Sequence, residues 1–300
     1  MWLLFAFAAP MLWAISTHID KFLVDRYAHR GDVGVLVVFT GMTGLIVAAA
    51  IWLLLPTTLA LPLSSIALIV ASGALSMLAM YFYLDALQTE DASAVAPWFQ
   101  AAPLFGYALG YAVLGETLTP RQVLGGALIV GGTIVLSLGR GFRRGLNLRL
   151  AGFMLACAFT LALSTAIFKL FAVEDEFWST TAWTSAGQAL VGLLLLARGS
   201  TWRQLVMMLR GDAPLVVSVN AANEAINLAG SLAQRYALVL APLSLVQAIG
   251  GTAPLFVFAF GLALSAVSPR LASEDLSPAG LLHKSIAALL VVAGVVLIGG

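Results

Sequence analysis

Long apolar segments recur along the whole chain, and each is long enough to cross a lipid bilayer as a helix. A helix needs roughly 20 mainly apolar residues to span the hydrocarbon core. Such segments lie at about 2–19, 33–55, 62–84, 92–114, 121–139, 149–171, 178–197, 213–234, 240–266 and 279–300. Because their apolar residues run continuously and do not alternate with polar ones, they predict helices and not the strands of a barrel. The predicted fold class is an all-α integral membrane protein with ten transmembrane helices.

Composition excludes water as the solvent of this fold. The chain is 61% apolar and 10% charged, against roughly 45–50% and about 25% in soluble domains. A net charge of +1 argues against nucleic acid as a partner, and the single cysteine, Cys157, excludes an intramolecular disulfide framework. The apolar residues 1–16 lack the basic start of a signal peptide, so we interpret them as a retained first helix. The sequence has no G-x-x-x-x-G-K-[ST] loop and so offers no such route to ATP hydrolysis.

Three sequence matches in the same order relate the two halves of the chain. The matched segments are 14–21 with 162–169, 102–105 with 253–256, and 116–120 with 274–278. They predict two repeats, 1–140 and 149–300, each with five helices. Because five is odd, the second repeat must lie upside down relative to the first. Inverted repeats of this kind are typical of secondary transporters, whose binding site lies at the repeat interface.

A motif and its surroundings resemble a known family. The motif is Gly-Glu-Thr-Leu-Thr-Pro-Arg-Gln at 115–122, followed by a glycine-rich segment at 125–132. With Lys21 and Lys169 near the end of the first helix of each half, and with the repeated Ala-Pro-Leu-Phe, it resembles the EamA-type family of the drug/metabolite transporter superfamily. The resemblance covers essentially the whole chain and implies ten helices in two EamA repeats that work by alternating access. It does not identify the substrate, because the superfamily is similar to exporters of amino acids, drugs, nucleotide sugars and other metabolites.

Polar side chains form a stripe along the eighth predicted helix. They are three or four residues apart, and this spacing places them on one helical face: Asn220, Asn223, Glu224, Asn227, Ser231 and Gln234. Glu224 lies at the middle of the segment, where a charged side chain costs roughly 2.5–3.5 kcal/mol on insertion scales. Lipid exposure of the stripe is therefore untenable. The stripe either lines a cavity, with Glu224 as the coupling residue or the main substrate contact, or holds helices together by hydrogen bonds.

Further intramembrane residues are candidates for the same cavity. The repeat places Gly73 opposite Glu224, so the two halves do not share the carboxylate. The additional candidates for substrate binding or coupling are Ser72, Ser76, Tyr83, Gln100, Gln247, Trp13, Trp98 and Gln188. At the end of the first helix, His18, Asp20 and Lys21 are candidates for a gate or proton relay. Snorkelling and local pairing are the alternatives there, and Lys21 and Lys169 equally suit a structural role.

These features favour a secondary active transporter for a small, partly apolar metabolite. Two five-helix bundles would rock about a site lined by predicted helices one, three, four, six, eight and nine, with proton exchange through Glu224. A flippase for a lipid-linked group, or a non-transporting helper protein, is the alternative. Three scattered histidines, at positions 18, 29 and 283, argue against an enzyme, and we expect no catalytic residue, metal or cofactor. Expected partners are the substrate, protons and lipids, in a monomer or homodimer.

Basic residues predict the orientation in the cytoplasmic (inner) membrane. On the side opposite the termini lie Lys21, Arg26, Arg30, Arg140, Arg143, Arg144, Arg149, Arg198, Arg203, Arg210, Arg270 and Lys284. The side of the termini holds only Arg121, Lys169 and Arg235. The positive-inside rule then places both termini outside the cytoplasm. The resemblance implies both termini inside, and we follow the charges, because 174–176 also make the terminal side acidic.

Overall fold

The computed structural model describes residues 1–24, 26, 32–89, 95, 98–99, 101–141, 148–174, 177–253, 255–257, 259–260 and 278–299. These residues are mostly helical, with no strand among them. The α-helices are α1 (Trp2–Leu23), α2 (Gly34–Leu54), α3 (Leu63–Thr89), α4 (Ala101–Leu114), α5 (Pro120–Gly141), α6 (Leu148–Glu174), α7 (Phe177–Leu196), α8 (Gly199–Leu240), α9 (Leu243–Gly250) and α10 (Pro278–Gly299). A short 3-10 helix, Pro56–Leu59, joins α2 to α3.

Each α-helix overlaps one of the predicted segments, and two of them differ clearly in length. Helix α8 begins at Gly199 and not near 213, because its first part contains good helix formers that a count of apolar residues overlooks. Helix α9 ends at Gly250, where a turn at Gly251 and Thr252 interrupts the predicted segment 240–266. Two successive glycines disfavour the helix there. Residues 261–277 lie outside the described part of the chain.

Several helices are long and apolar enough to cross a membrane. By length and composition, α1, α2, α3 and α6 meet this requirement among the described residues. Helix α7 and the start of α8, Gly199–Arg210, meet it together across a 90° bend. The protein is therefore a multi-pass, all-helical membrane protein, while the number of ten spans stays a prediction from the sequence.

Helices from one half of the chain pack mainly on helices from the other half. The most extensive contacts join α5 with α10, α2 with α7, α3 with α6, α1 with α8, α3 with α7, and α4 with α6. Glycines allow some of these backbones to approach closely: a Cβ built on Gly41 of α2 would lie 2.6 Å from the Cα of Gly192 in α7. Such small residues are typical of helix contacts inside membranes. The two halves therefore share one helical bundle.

The outside of the bundle carries large apolar side chains. Leu4, Leu53 and Leu194 are 74%, 83% and 62% exposed, in three different helices. An apolar surface this extensive would drive aggregation in water. Hydrocarbon solvates it, and the polar side chains described below are then left to the interior.

Candidate functional site

A cavity of about 240 Å³ lies between helices of both halves. Its lining residues come from α1, α3, α4, α6, α8 and α9, together with Phe99 ahead of α4 and residues just after α9. These are the six helices that the sequence analysis expects around a central site. The polar lining residues are Ser16, Thr17, Asp20, Ser76, Tyr83, Asn227, Gln234 and Gln247. The remaining lining is apolar, with Met80, Leu161 and Val257 among it.

Helix α1 directs one face into this cavity. Trp13, Ser16, Thr17 and Asp20 line it, and their spacing of three or four residues is that of one helical face. The Trp13 ring packs against α8 at Gly230, where an added Cβ would lie 2.9 Å from the indole nitrogen. A glycine at 230 is therefore what lets the large ring lie between α1 and α8.

Asp20 is the centre of a buried hydrogen-bond network. Only 6% of the residue is exposed, and its Oδ1 accepts a 2.7 Å hydrogen bond from Asn223 Nδ2 of α8. Its Oδ2 accepts longer bonds, 3.4 Å from the Tyr83 hydroxyl and 3.5 Å from the Ser16 hydroxyl. Ser16 also donates to Asn223 Oδ1 at 2.7 Å. The network thus joins α1, α3 and α8 around one carboxylate.

Glu224 lies beside the cavity and not among its lining residues. It is 7% exposed, and its Oε1 accepts a 2.7 Å hydrogen bond from Thr40 Oγ1 of α2. The next residue back, Asn223, turns toward Asp20. The predicted polar stripe of α8 therefore divides: one edge faces α2, another faces α1, and Asn227 and Gln234 reach the cavity.

The other predicted site residues fall into three groups. Trp13, Ser76, Tyr83, Asn227 and Gln247 line the cavity. Four others do not line it: Gln188, Ser72, Asn220 and Trp98. Gln188 donates a 3.1 Å hydrogen bond to the Ser76 hydroxyl. Ser72 and Asn220 donate to carbonyls of their own helices, Ile69 O at 2.7 Å and Val216 O at 2.8 Å. Trp98 packs at intermediate burial against the hydrophobic core. Gln100 lies outside the described residues.

Gln247 is held between α6 and α4. Its Nε2 donates a 2.7 Å hydrogen bond to Thr165 Oγ1, while its buried Oε1 has no hydrogen-bond partner among the described residues. A Cβ added at Gly106 of α4 would overlap that Oε1. Glycine at position 106 therefore leaves room for the Gln247 side-chain amide, whose oxygen is an unused acceptor at the cavity.

The two lysines of the repeat stabilise helix ends. Lys21 Nζ donates to the Leu87 carbonyl near the end of α3, at 3.2 Å. Lys169 Nζ donates to the Ala241 carbonyl just after α8 and pairs with Glu116. Cations near the carbonyl end of a helix are stabilising, so these contacts support the structural interpretation. His18 Nε2 lies 3.2 Å from the Val257 carbonyl oxygen and can donate to it when that nitrogen carries the proton.

Some residues of the site carry no signal in the sequence. Thr40 sits in an otherwise apolar helix, and only the tertiary structure brings it to Glu224. Phe99 and Cys157 line the cavity but look like ordinary core residues. Within the described part of the chain, no three His, Cys, Asp or Glu side chains are grouped so that they could hold a metal ion.

Comparison with known proteins agrees with this class of fold. Residues 1–138 match the family model of the EamA-like transporter family. Among solved structures 24 chains match. One, a crystal structure whose description states no function, aligns over 99% of this chain and 95% of its own, with a TM-score of 0.67 and 18% identity. At that identity it shows the fold alone. None of the curated proteins matches the chain.

The fold and its cavity define a multi-pass helical membrane protein with a small internal site. The match over residues 1–138 supports the resemblance to the EamA-type family that the motifs of this chain carry. The family consists of membrane transporters of the drug/metabolite type.

Proposed function

We propose that this protein is a secondary active transporter that moves a small, partly apolar metabolite by alternating access. The observation that carries the proposal is the cavity of about 240 Å³, which helices of both halves border and which is lined by apolar side chains with polar groups among them. Small-molecule sites generally combine a concave apolar lining with a few well-placed polar groups. A site between the halves can face either side of the membrane as the halves rock about it.

Equivalent contacts in the two halves support an inverted repeat. Ser16 of α1 bonds Asn223 of α8, and the matched Ser164 of α6 bonds the Ser72 carbonyl of α3. By the repeat alignment Ser72 corresponds to Asn223, so equivalent positions are joined in both halves, through the side-chain oxygen of Asn223 in one case and the main-chain carbonyl of Ser72 in the other. The lysines Lys21 and Lys169 repeat the pattern at the ends of α3 and α8. The helix pairings agree as well: α1 packs on α8, and their counterparts in the other half, α6 and α3, pack on each other.

Two helices at equivalent positions in the two halves both line the cavity. Helix α3 contributes Ser76 and Tyr83, and α8 contributes Asn227 and Gln234 at the positions that the repeat alignment pairs with them. A pseudo-two-fold axis through the cavity would relate these two helices. Rocking of one half against the other could then open the cavity to each side in turn.

Glu224 is the residue we propose for proton coupling. Its carboxyl group is buried beside the cavity wall and accepts a hydrogen bond from the neutral Thr40 hydroxyl. Ionisable groups inside a membrane protein usually mark ion or substrate pathways, because burying them is costly. A carboxyl group on α8, next to the Asn223–Asp20 contact, can link its protonation to the movement of α8 against α1 and α2.

The test is uptake into proteoliposomes under an imposed pH gradient. A ligand is first chosen by a thermal-shift screen of small metabolites, since a bound ligand raises the apparent stability by mass action. We expect Glu224→Gln, which keeps the shape and removes the charge, to abolish gradient-driven uptake. Asp85→Asn is the matched control, because Asp85 lies on α3 but does not line the cavity. If a folded Glu224→Gln variant shows undiminished gradient-driven uptake, the polar stripe of α8 has a structural role and Glu224 is not the coupling residue.

A further inference from the structure

The cavity wall carries a single charged side chain. Asp20 is the one Asp, Glu, Lys or Arg among the described lining residues. The nearby cations are engaged elsewhere: Lys21 contacts the Leu87 carbonyl, Lys169 pairs with Glu116, and the Arg235 guanidinium lies 5.2 Å from the centre of the Phe168 ring. An ionised Asp20 would therefore give this part of the cavity a net negative charge.

Within the described part of the chain, the hydrogen bonds to Asp20 all come from neutral groups. The Asn223 amide and the Tyr83 and Ser16 hydroxyls orient the carboxylate at 2.7, 3.4 and 3.5 Å. Hydrogen bonds of this kind hold a carboxylate in place, but they do not balance its charge. A buried carboxylate without a counter-ion is costly, so a cation entering the cavity would gain a strong interaction with it.

Aromatic rings border the same space. Trp13, Tyr83 and Phe99 all line the cavity, and the Tyr83 and Phe99 rings are 5.6 Å apart. Aromatic faces attract organic cations, and the attraction is stronger where water is excluded. Met80, Leu161 and Val257 complete an apolar wall suited to a hydrocarbon body.

We propose that the cavity binds small organic amines in their protonated form, with the ammonium group on Asp20 and the apolar body against the aromatic and aliphatic wall. The described lining offers no basic side chain for a carboxylate, so the site would disfavour free amino acids and organic acids of the same size. This substrate class rests on the proposed transport function, but binding itself can be measured without transport.

The experiment compares four ligands that share one hydrocarbon body. Isothermal titration calorimetry on the purified chain would use 2-phenylethylamine, 2-phenylethanol, phenylalanine and 3-phenylpropionate near neutral pH. We expect the amine to bind at least about tenfold more tightly than the alcohol, and the two carboxylates to bind more weakly still. Equal or tighter binding of the alcohol or of either carboxylate on the wild-type protein would overturn the proposal, without any variant being needed.

Substitution then tests the named residue. We expect Asp20→Asn to lose at least about tenfold in amine affinity while its affinity for 2-phenylethanol changes little. Asp85→Asn, which keeps Asp20 intact, should bind like wild type. Unchanged amine affinity in folded Asp20→Asn would refute the assignment. If the protein binds the amine but does not take it up, only the transport function is contradicted. If it takes up a neutral or anionic ligand under the gradient but does not bind the amine, only the substrate class is contradicted.

Discussion

Asn223 joins two helices through both ends of its side-chain amide. The amide nitrogen donates to Asp20, the amide oxygen accepts from Ser16, and the residue is 3% exposed. Asn220, one turn earlier and equally buried, donates to the Val216 carbonyl of its own helix. Asn223 therefore joins two helices, whereas the hydrogen bond of Asn220 lies within one helix.

We predict that Asn223→Ala destabilises the protein more than Asn220→Ala. Hydrogen bonds between helices in membrane proteins contribute on average about 0.6 kcal/mol and at most about 1.7 kcal/mol, and Asn223→Ala also leaves a buried carboxylate without its shortest bond. The expected difference between the two variants is about 1–2 kcal/mol, measured as the shift in thermal unfolding in detergent. Equal shifts would mean that the Asp20 network contributes little to the association of α1 with α8.

The sequence identified the polar stripe of α8 but not the way it divides. Helical spacing places Asn220, Asn223, Glu224 and Asn227 on one face, and this part of the reasoning needs only the period of the helix. Which neighbour each residue meets depends on the rotation of α8 against α1 and α2. For this reason Glu224 meets Thr40, and Asp20, expected only as a gate or relay, is the carboxylate on the cavity wall.

At the scale of helices, glycines set the distance between α3 and α7. A Cβ added at Gly73 would overlap the backbone carbonyl oxygen of Thr184, and one at Gly187 would overlap that of Val70. Backbone atoms cannot rotate away as a long side chain can. The close approach of α3 and α7 therefore requires glycine at these positions.

We predict that Gly73→Ala destabilises the protein by about 1–3 kcal/mol, the usual cost of overpacking. Gly131→Ala in α5 is the matched control, since a Cβ there meets nothing within 4 Å. That control should be neutral or stabilising by up to about 1 kcal/mol, because alanine favours a helix over glycine. The measurement is the thermal unfolding of the two variants. If Gly73→Ala and Gly131→Ala change the stability equally, packing does not require the glycines of α3 and α7.

Across the whole molecule, the structure bears on the asymmetry of charge. On the side that bears the termini, Lys169 pairs with Glu116 and Arg235 is 9% exposed, so neither is free to interact with lipid headgroups. Of the three basic residues that the sequence analysis counts on this side, Arg121 alone is exposed, which supports the orientation predicted from the positive-inside rule.

We predict that both termini lie outside the cytoplasm. A reporter fused after residue 300 that is active only in the cytoplasm should give no signal, and one that is active only outside should give a strong signal. The same two reporters placed after residue 147, between α5 and α6, should give the reverse result. A strong cytoplasmic signal at the C-terminus would show that the positive-inside count fails for this protein.

The sequence by itself determined the solvent, the helical class, the approximate position of most described helices and the resemblance to a family. Apolar runs and short motifs are local properties, and in hydrocarbon a segment must satisfy its backbone hydrogen bonds within itself. Only the tertiary structure decided that Asp20 and Asn223, 203 residues apart, share a hydrogen bond at the cavity wall. Helices that are apolar on every side carry little information about which face turns inward, so these contacts follow from how the whole bundle packs.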